Sequence, residues 1–108
     1  HMEFKKVKIV VTVPPTHADL VRQAFGDAGA GIFGNYSHCS ITTKVTGRWF
    51  ANDGANPHLG GVGQLESAEE EKIEVVCNFD KAKEIIEKIK EVHPYDEPTF
   101  DIYPLLTI

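Results

Sequence analysis

The first third of the chain combines an apolar run with a helical spacing of apolar residues. Residues 8–13 are rich in β-branched side chains and stop at the Pro-Pro pair 14–15, which predicts a buried strand. Thr16 then offers a hydroxyl for a helix N-cap, and Gly29 and Gly31 favour a left-handed stop. The helix is predicted from apolar residues at helical spacing, namely Leu20, Val21, Ala24, Phe25 and Ala28.

The middle of the chain predicts two strands separated by a long loop. Residues 40–50 are rich in β-branched side chains and predict a half-exposed strand. Residues 51–64 contain four glycines and a proline, so they predict a loop of the length that is either mobile or functional in small domains. Residues 70–78 predict a third strand. The residues expected on one of its faces are Ile73, Val75 and Cys77.

The last third predicts a second helix and a closing strand. Asp80 is the candidate N-cap. The helix is expected to end near Val92, because Pro94 disfavours helical geometry in the residue before it. Residues 99–103 alternate as a strand and are ended by Pro104. The apolar stripe of the helix consists of Ala82, Ile85, Ile86, Ile89 and Val92.

The order of these elements predicts an α+β fold of the ferredoxin-like βαββαβ type. Two β-α-β halves wrap into a four-stranded antiparallel sheet that carries both helices on one face. We expect one domain over residues 2–108, with His1 before Met2 as a cloning scar. The other sheet face has no helix to cover it. In so short a chain its apolar surface is most simply buried against further copies, so we expect a homo-oligomer.

Composition excludes some classes of partner. The 108 residues include 11 basic and 16 acidic side chains, for a formal charge of -5. This balance, with no Lys/Arg cluster, argues against a nucleic-acid partner. No apolar run approaches the roughly 18–20 residues of a membrane span, and no secretory signal begins the chain. Cys39 and Cys77 form no CxxC pair, which favours the reducing cytoplasm as the compartment.

The densest chemical motif is the segment 93–98, His-Pro-Tyr-Asp-Glu-Pro. Two prolines fix the backbone of this turn, and an imidazole and two carboxylates project from it. Such a set is suited to metal coordination or proton transfer through His93, Asp96 and Glu97. The alternative is a rigid helix-to-strand connector in which His93 caps the C-terminus of the second helix.

Other candidates are more isolated along the chain. The glycines of residues 29–34 follow a helix instead of opening one, so the nucleotide-binding fingerprint is rejected.

Cys39 is a small buried hydrophobe, a metal ligand or a nucleophile paired with a distant histidine. His17 lies in the first helical turn, where the helix dipole disfavours its protonated form. His58 lies in the glycine-rich loop, from which it is able to reach a ligand or a neighbouring subunit. The run 69–71 is a solvated acidic edge or a set of metal ligands.

Almost the whole chain resembles the small domain inserted in some proteins of the Nif-three-like (NGG-one-interacting factor three) family, of the YqfO type. The matching segments include Val13-Pro14, 28–31, Gly34-Asn35-Tyr36, Cys39-Ser40, 55–57, His93-Pro94-Tyr95, Glu97-Pro98 and 101–103. The resemblance implies a fold related to CutA and the PII signal-transduction proteins, typically trimeric. The larger members carry a separate metal-binding domain, which this chain is too short to contain. Asp96 and His58 depart from the family pattern.

The first hypothesis is a non-enzymatic oligomeric binding or regulatory module for a divalent metal ion, copper or zinc. Imidazole, thiolate and carboxylate groups are the ligands that such ions take in proteins. The residues assigned to this metal are His17, Cys39, Glu70, His93 and Glu97.

Three alternatives stay open at this stage. One is a PII-like binder of a small effector that uses the 51–64 loop and clefts between subunits, although the loop itself has no basic residue. Another is a small metal-dependent hydrolase with His93 and Glu97 as base and acid. The last is a protein-interaction module without a small ligand. The residues assigned to a small-molecule ligand are Tyr36, His58 and Tyr95.

Overall fold

The computed structural model describes residues 4–106 and 108, so the expected scar at position 1 lies outside the described residues. Over these residues the chain forms four strands and two helices, with one 3-10 turn, Phe79–Lys81, before the second helix. The elements are β1 (Lys6–Val13), α1 (Pro15–Asp27), β2 (Ile41–Phe50), β3 (Leu65–Asn78), α2 (Ala82–Val92) and β4 (Phe100–Leu105).

The sheet has the strand order β2-β3-β1-β4, and every neighbouring pair is antiparallel. This confirms the predicted ferredoxin-like α+β fold. Alternate residues of the central strands β1 and β3 lie opposite one another and are buried, which places them on a single face with the helices. The largest fully buried side chains of this core are Val7, Ile9, Val11, Val13, Val21, Phe25, Ile73, Ile85 and Ile89.

The opposite sheet face is less apolar than expected. Lys8 lies opposite Tyr103, and its ammonium group is 3.7 Å from the Glu74 carboxylate. Asp101 and Lys72 share this face through the register of the central strands. The face therefore carries charged groups beside apolar ones such as Val10 and Val76, so it is not a continuous apolar surface.

Both predicted helix caps were wrong. Helix α1 begins at Pro15, one residue before Thr16, with Pro14 in the N-cap position and no side-chain cap. Pro15 fits the first helical position because its fixed φ suits the first turn and the first N–H groups have no intrahelical partner. Asp80 lies inside the 3-10 turn and does not cap α2. The predicted end of α2 at Val92 is confirmed.

The strand bounds differ from prediction where pairing outweighs local sequence. Strand β3 begins at Leu65 instead of residue 70, because its first residues pair with the end of β2 from Thr46 to Phe50. The intervening loop spans 51–64, as predicted. Strand β4 continues through Pro104, which an edge strand tolerates because the missing N–H removes no bond to an outer neighbour.

The two ends of the sheet carry different connections. The link between α1 and β2 lies at one end, since Gly31 N–H donates to the Val76 carbonyl at 2.8 Å. The link between α2 and β4 lies at the other end, where Phe100 pairs with Val11. The β2–β3 hairpin extends beyond Glu71 at this second end and carries the 51–64 loop at its tip. We call this second end the loop end.

Replacement of Gly31 by alanine should destabilise the fold more than the same change at Gly29. Gly31 has φ +76°, and a Cβ there would collide with the Cys39 carbonyl, whereas Gly29 has φ +98° and open space around it. Left-handed geometry costs about 1–2 kcal/mol at either position, and overpacking adds about 1–3 kcal/mol at Gly31. Urea unfolding of the two variants measures the difference; equal losses would contradict the steric part of this explanation.

Candidate functional site

The turn between α2 and β4 is held by His93, a buried histidine that is 7% exposed. Its Nε2 lies 2.8 Å from the Thr12 carbonyl oxygen, and the Tyr95 backbone N–H donates to its Nδ1 at 3.1 Å. An imidazole nitrogen that accepts from an N–H carries a lone pair, so the proton is on Nε2 and is donated to Thr12. His93 therefore joins the turn to β1 as a neutral ring.

This arrangement favours the connector interpretation of His93. Both ring nitrogens are engaged, so neither offers a free lone pair to a metal ion or a proton acceptor to a substrate. The roles of metal ligand and general base that the sequence suggested for His93 do not fit this geometry. Burial lowers the pKa of His93, against the opposing effects of the Thr12 carbonyl and the Glu70 carboxylate.

Glu70 is a buried carboxylate, 6% exposed, at the point where β3 passes the turn. The Tyr95 hydroxyl donates to its Oε2 at 2.8 Å. Burial, followed by the hydrogen bond and charge of Glu70, raises the pKa of Tyr95 well above its usual value. On β2, Gly47 leaves room for this carboxylate, because a Cβ there would collide with Glu70 Oε1.

The acidic run 69–71 is therefore not the solvated edge that was one of its two interpretations. Glu70 is buried, and Glu71 accepts a hydrogen bond from Arg22 at 2.8 Å. Glu69 alone of the three is exposed. The alternation of strand residues between two faces explains why adjacent carboxylates have such different surroundings.

Four rings stand side by side near this carboxylate. The His93 and Tyr95 ring centroids are 4.8 Å apart, and those of Tyr95 and His58 are 6.2 Å apart. His58 in turn lies 5.6 Å from His17, in the first turn of α1, with the two ring planes at 88°. The fold thus brings His17, the loop residue His58 and the turn residue Tyr95 into one row.

A cleft of about 570 Å³ opens between the 51–64 loop, the end of β2 and the turn. Its volume is within the range of small-ligand sites. The loop is tied to the turn because the Asn56 backbone N–H donates to Asp96 Oδ2 at 3.0 Å. The polar and aromatic groups that line the cleft are Thr12, Arg48, Trp49, Phe50, Asn52, Asp53, His58, Glu70, Tyr95, Asp96, Glu97 and Thr99.

Six of the eight predicted site residues gather at the loop end, and two do not. Cys39 donates its backbone N–H to Gly31, which itself bonds Val76 on β3. Val76 is six residues along β3 from Glu70, about 20 Å at roughly 3.3 Å per residue. Tyr36 lies in the same connection as Cys39 and is 75% exposed. Within one protomer Cys39 therefore does not share an ion with Glu70. The six residues that gather are His17, His58, Glu70, His93, Tyr95 and Glu97.

No group of three or more His, Cys, Asp or Glu side chains within residues 4–106 and 108 is arranged to hold a metal ion. The five-residue metal site assigned from the sequence is consequently not assembled in one protomer. Two free cysteines are present, of which Cys77 is buried in the core and Cys39 is half-buried. Burial raises the pKa of the Cys77 thiol.

Several cleft residues were missed by sequence reasoning. Arg48 and Trp49 lie on β2 and meet the turn only after the sheet forms. The contact between Asn56 and Asp96 joins segments 40 residues apart. One local signal was available, since an isolated glycine in a strand such as Gly47 marks a close approach of another group.

No helix formed by the described residues is long and apolar enough to cross a membrane.

The neutral, buried state of His93 predicts lower stability on acidification. Because burial holds its pKa below the ordinary 6.5, the unfolded chain takes up a proton that the folded chain does not. The contribution of neutral His93 to the free energy of unfolding is complete above about pH 6.5. It is lost as pH falls from there toward the lowered pKa of the folded state, and the free energy then changes by at most about 1.4 kcal/mol per pH unit. Urea unfolding between pH 5 and 8 measures it.

The variant His93→Gln should lose this slope, whereas His38→Gln, which removes an exposed imidazole outside the loop end, should keep it. An NMR titration of the His93 ring provides a direct check and should give a midpoint below 6.5. A midpoint at or above 6.5, or an unchanged slope in His93→Gln, would contradict the assignment.

No family model matches the chain. Curated relatives named "GTP cyclohydrolase 1 type 2 homolog" do match it. That of Halalkalibacterium halodurans is 46% identical over 98 residues, covering 91% of this chain and 26% of the relative. That of Mycobacterium tuberculosis is 42% identical over 99 residues, covering 92% of this chain and 26% of the relative. The chain thus spans about a quarter of the length of these relatives.

Solved structures agree with the sequence relatives. A Bacillus cereus protein related to NIF3 superposes with a TM-score of 0.82 and 41% identity over 97% of this chain and 27% of its own. The periplasmic divalent cation tolerance protein CutA from Archaeoglobus fulgidus superposes with a TM-score of 0.70 at 18% identity, over 93% of this chain and 83% of its own. At that identity the likeness to CutA concerns the fold alone. Over about nine-tenths of its length the chain is therefore similar to one segment of NIF3-related proteins, about a quarter of their length, and it has the fold of CutA.

Proposed function

We propose that the chain is a non-enzymatic binding module that acts as a homo-oligomer and takes a positively charged small ligand in the cleft at the loop end. The observation that carries the proposal is the charge of the cleft. Four carboxylates and one guanidinium line it, for a formal charge of three negative units. The carboxylates are those of Asp53, Glu70, Asp96 and Glu97, and the guanidinium is that of Arg48.

The surroundings strengthen this charge preference. A cleft lined by one sign of charge with low-dielectric walls concentrates counter-ions. Trp49 and Tyr95 also line the cleft, and aromatic faces attract organic cations. Glu70 is already held by the Tyr95 hydroxyl, so a ligand finds it oriented in advance. These features support an amine or a divalent cation as the ligand class.

The cleft restricts the class of small effector that it is able to bind. Recognition of phosphate groups relies on Arg and Lys side chains or on exposed backbone N–H groups. Arg48 is the one guanidinium among the described lining residues, and four carboxylates oppose it. A nucleotide is therefore the disfavoured effector, and a polyamine is the favoured one.

A non-enzymatic role is supported by the state of His93. The hydrolase hypothesis needs this imidazole as a base, but both its nitrogens are engaged within the protein. Glu97 alone then remains of the proposed acid and base pair.

A divalent metal ion, copper or zinc, is the second candidate. Its support is the acidic cleft together with the imidazoles of His17 and His58 beside it. The solved CutA of the same fold is described as a divalent cation tolerance protein. Of the five ligands assigned from the sequence, four lie at this end of the molecule, but both nitrogens of His93 are engaged within the protein. His17, Glu70 and Glu97 are then available, and Cys39 would have to come from another copy.

The homo-oligomer is supported by apolar side chains on the projecting hairpin. Phe50 and Leu65 face each other across β2 and β3 and are 53% and 71% exposed. Val62 and Leu59 in the adjoining loop are also largely exposed. A cluster of this kind is characteristic of association surfaces, and a trimer is the form that the family resemblance implies. The free state of both cysteines supports a reducing compartment, the cytoplasm.

The charge proposal is tested by two substitutions with opposite expected signs. Glu97→Gln should weaken binding of spermidine about two- to fivefold, and Arg48→Gln should strengthen it by a similar factor, since a partly exposed charge contributes up to about 1 kcal/mol. Isothermal titration calorimetry at low salt measures both. Glu91→Gln, on the exposed surface of α2, is the matched control. Changes of the same sign in both variants, or tighter binding of ATP than of spermidine, would contradict the proposal.

The association proposal is tested by analytical ultracentrifugation. The chain should sediment at three times the mass of one chain, and Leu65→Glu should shift it toward the monomer because a carboxylate would be buried in the contact. Leu20→Glu, on α1 and 51% exposed in the described structure, should leave the mass unchanged. A monomeric wild-type chain would contradict the proposal.

A further inference from the structure

The imidazoles of His17 and His58, at the lip of the cleft, point to a metal site built on nitrogen donors. We propose that His17 and His58 together bind one zinc or copper ion, which fastens the 51–64 loop to the start of α1. His58 lines the cleft, but His17 is not among its lining residues, so the pair is a separate site at the lip of the cleft. The inference rests on the second candidate of the proposed function, a divalent metal ion, and does not depend on a polyamine as the cleft ligand.

The spacing of the two rings fits shared coordination. A zinc–nitrogen bond of about 2.0–2.1 Å plus a ring radius of about 1.1 Å places an ion about 3.2 Å from each centroid. At ligand angles of about 109–120°, two such rings have centroids about 5.2–5.5 Å apart. The observed separation is 5.6 Å. The interplanar angle of 88° is compatible, because two perpendicular ring planes are able to intersect at the ion.

The His17 ring is already oriented by a neighbour. The Thr16 hydroxyl lies 2.8 Å from Nδ1 of His17, so this nitrogen is engaged whichever of the two groups donates. Nε2 is then the nitrogen available to an ion. Ligating histidines commonly have their second nitrogen hydrogen-bonded in this way, which fixes the tautomer and the ring orientation. Thr16, which does not cap α1, thereby has a defined partner.

The simpler interpretation of the pair is an edge-to-face contact between two aromatic rings. That contact explains the distance, but it leaves the polar edges unexplained. Within the described part of the chain, His58 makes no side-chain hydrogen bond, and Nε2 of His17 has no partner. Two imidazoles with accessible nitrogens beside an acidic cleft are able to act as donors for a cation in addition to packing against each other.

The donor type selects the ion. Neutral imidazole suits zinc, copper and nickel, whereas magnesium and calcium prefer oxygen ligands. The pair supplies two protein donors, and water or an external donor completes the coordination. Among the described residues the loop has one side-chain tie to the rest of the fold, from Asn56 to Asp96. Ligation of His58 adds a second tie two residues further along the loop, so the ion restrains the lip of the cleft.

The test is a titration with zinc chloride in a buffer that does not coordinate metals, on the full chain carrying His1→Ser in every sample. One ion per chain should bind. His17→Asn and His58→Asn should each weaken the affinity at least tenfold, and the double variant should be little weaker than either, because the two rings serve one ion. Magnesium should not compete.

His38→Asn is the matched control, since His38 is an exposed histidine at Asp27 outside the loop end, and it should bind zinc like the wild type. Thermal unfolding without metal should be the same for wild type and His58→Asn, which excludes misfolding as the cause. ¹⁵N NMR should assign the perturbed His17 nitrogen as Nε2. Wild-type zinc affinity in the double variant, or an equal loss in His38→Asn, would overturn the site.

Failure here is distinguishable from failure of the cleft proposal. Glu97→Gln should weaken spermidine binding but change zinc affinity less than the histidine variants do. If Arg48→Gln and Glu97→Gln act on spermidine as expected while His17→Asn leaves zinc binding unchanged, the metal site alone is refuted. Amide hydrogen exchange in 51–64 should slow on addition of zinc in the wild type and stay unchanged in His58→Asn; slowing in both would refute the tie to the loop.

Discussion

The hydrogen-bonded path from Thr12 through His93 and Tyr95 to Glu70 determines the geometry of the loop end. A buried, unpaired carboxylate is costly, so Glu70 depends on the hydroxyl that Tyr95 donates. Tyr95 in turn is positioned by its own backbone N–H, which donates to His93. His93 is anchored on the Thr12 carbonyl of the central strand. Removal of any member releases the turn from the sheet and leaves a polar group without its partner.

The same path explains why the cleft forms where it does. His93 directly follows the end of α2, and Pro94 holds it in an extended conformation, with φ −79° and ψ 135°. The chain therefore leaves the helix directly toward β1, and the turn lies against the neighbouring strands. Gly47 on β2 lets the Glu70 side chain approach closely, and the long β2–β3 hairpin carries the loop past the turn. The cleft is the space left between these three parts.

Local signals predicted the elements that depend on local chemistry. The end of α2 followed from Pro94, and the loop 51–64 followed from its glycines, because backbone restriction and freedom act within a few residues. The first residues of β3 were missed because their strand character comes from pairing with β2, not from their own propensity. The predicted N-caps Thr16 and Asp80 were wrong for a related reason. Several nearby residues compete for the start of the same helix, and the tertiary path of the chain decides among them.

The site was harder to predict than the fold because its members are separated along the chain. The motif at 93–98 was visible, but its histidine serves the backbone instead of a ligand. Cys39 appeared to belong with that motif because type and spacing alone do not tell which end of a sheet a residue occupies. The strand register does so, and it places Cys39 about 20 Å along β3 from Glu70.

The fold determines where the net negative charge of the chain is concentrated. A formal charge of -5 argues against a nucleic-acid partner when it is read from composition, but it does not indicate where the charge acts. The fold collects Asp53 from the loop, Glu70 from β3, and Asp96 and Glu97 from the turn around one cleft, with Arg48 as their counter-charge. For the chain as a whole, the excess of acidic over basic side chains argues against a phosphate-bearing partner. The same excess within the cleft argues against a phosphate-bearing ligand there. The fold thus concentrates carboxylates of this acidic chain in one place, where their electrostatic field favours cations over anions.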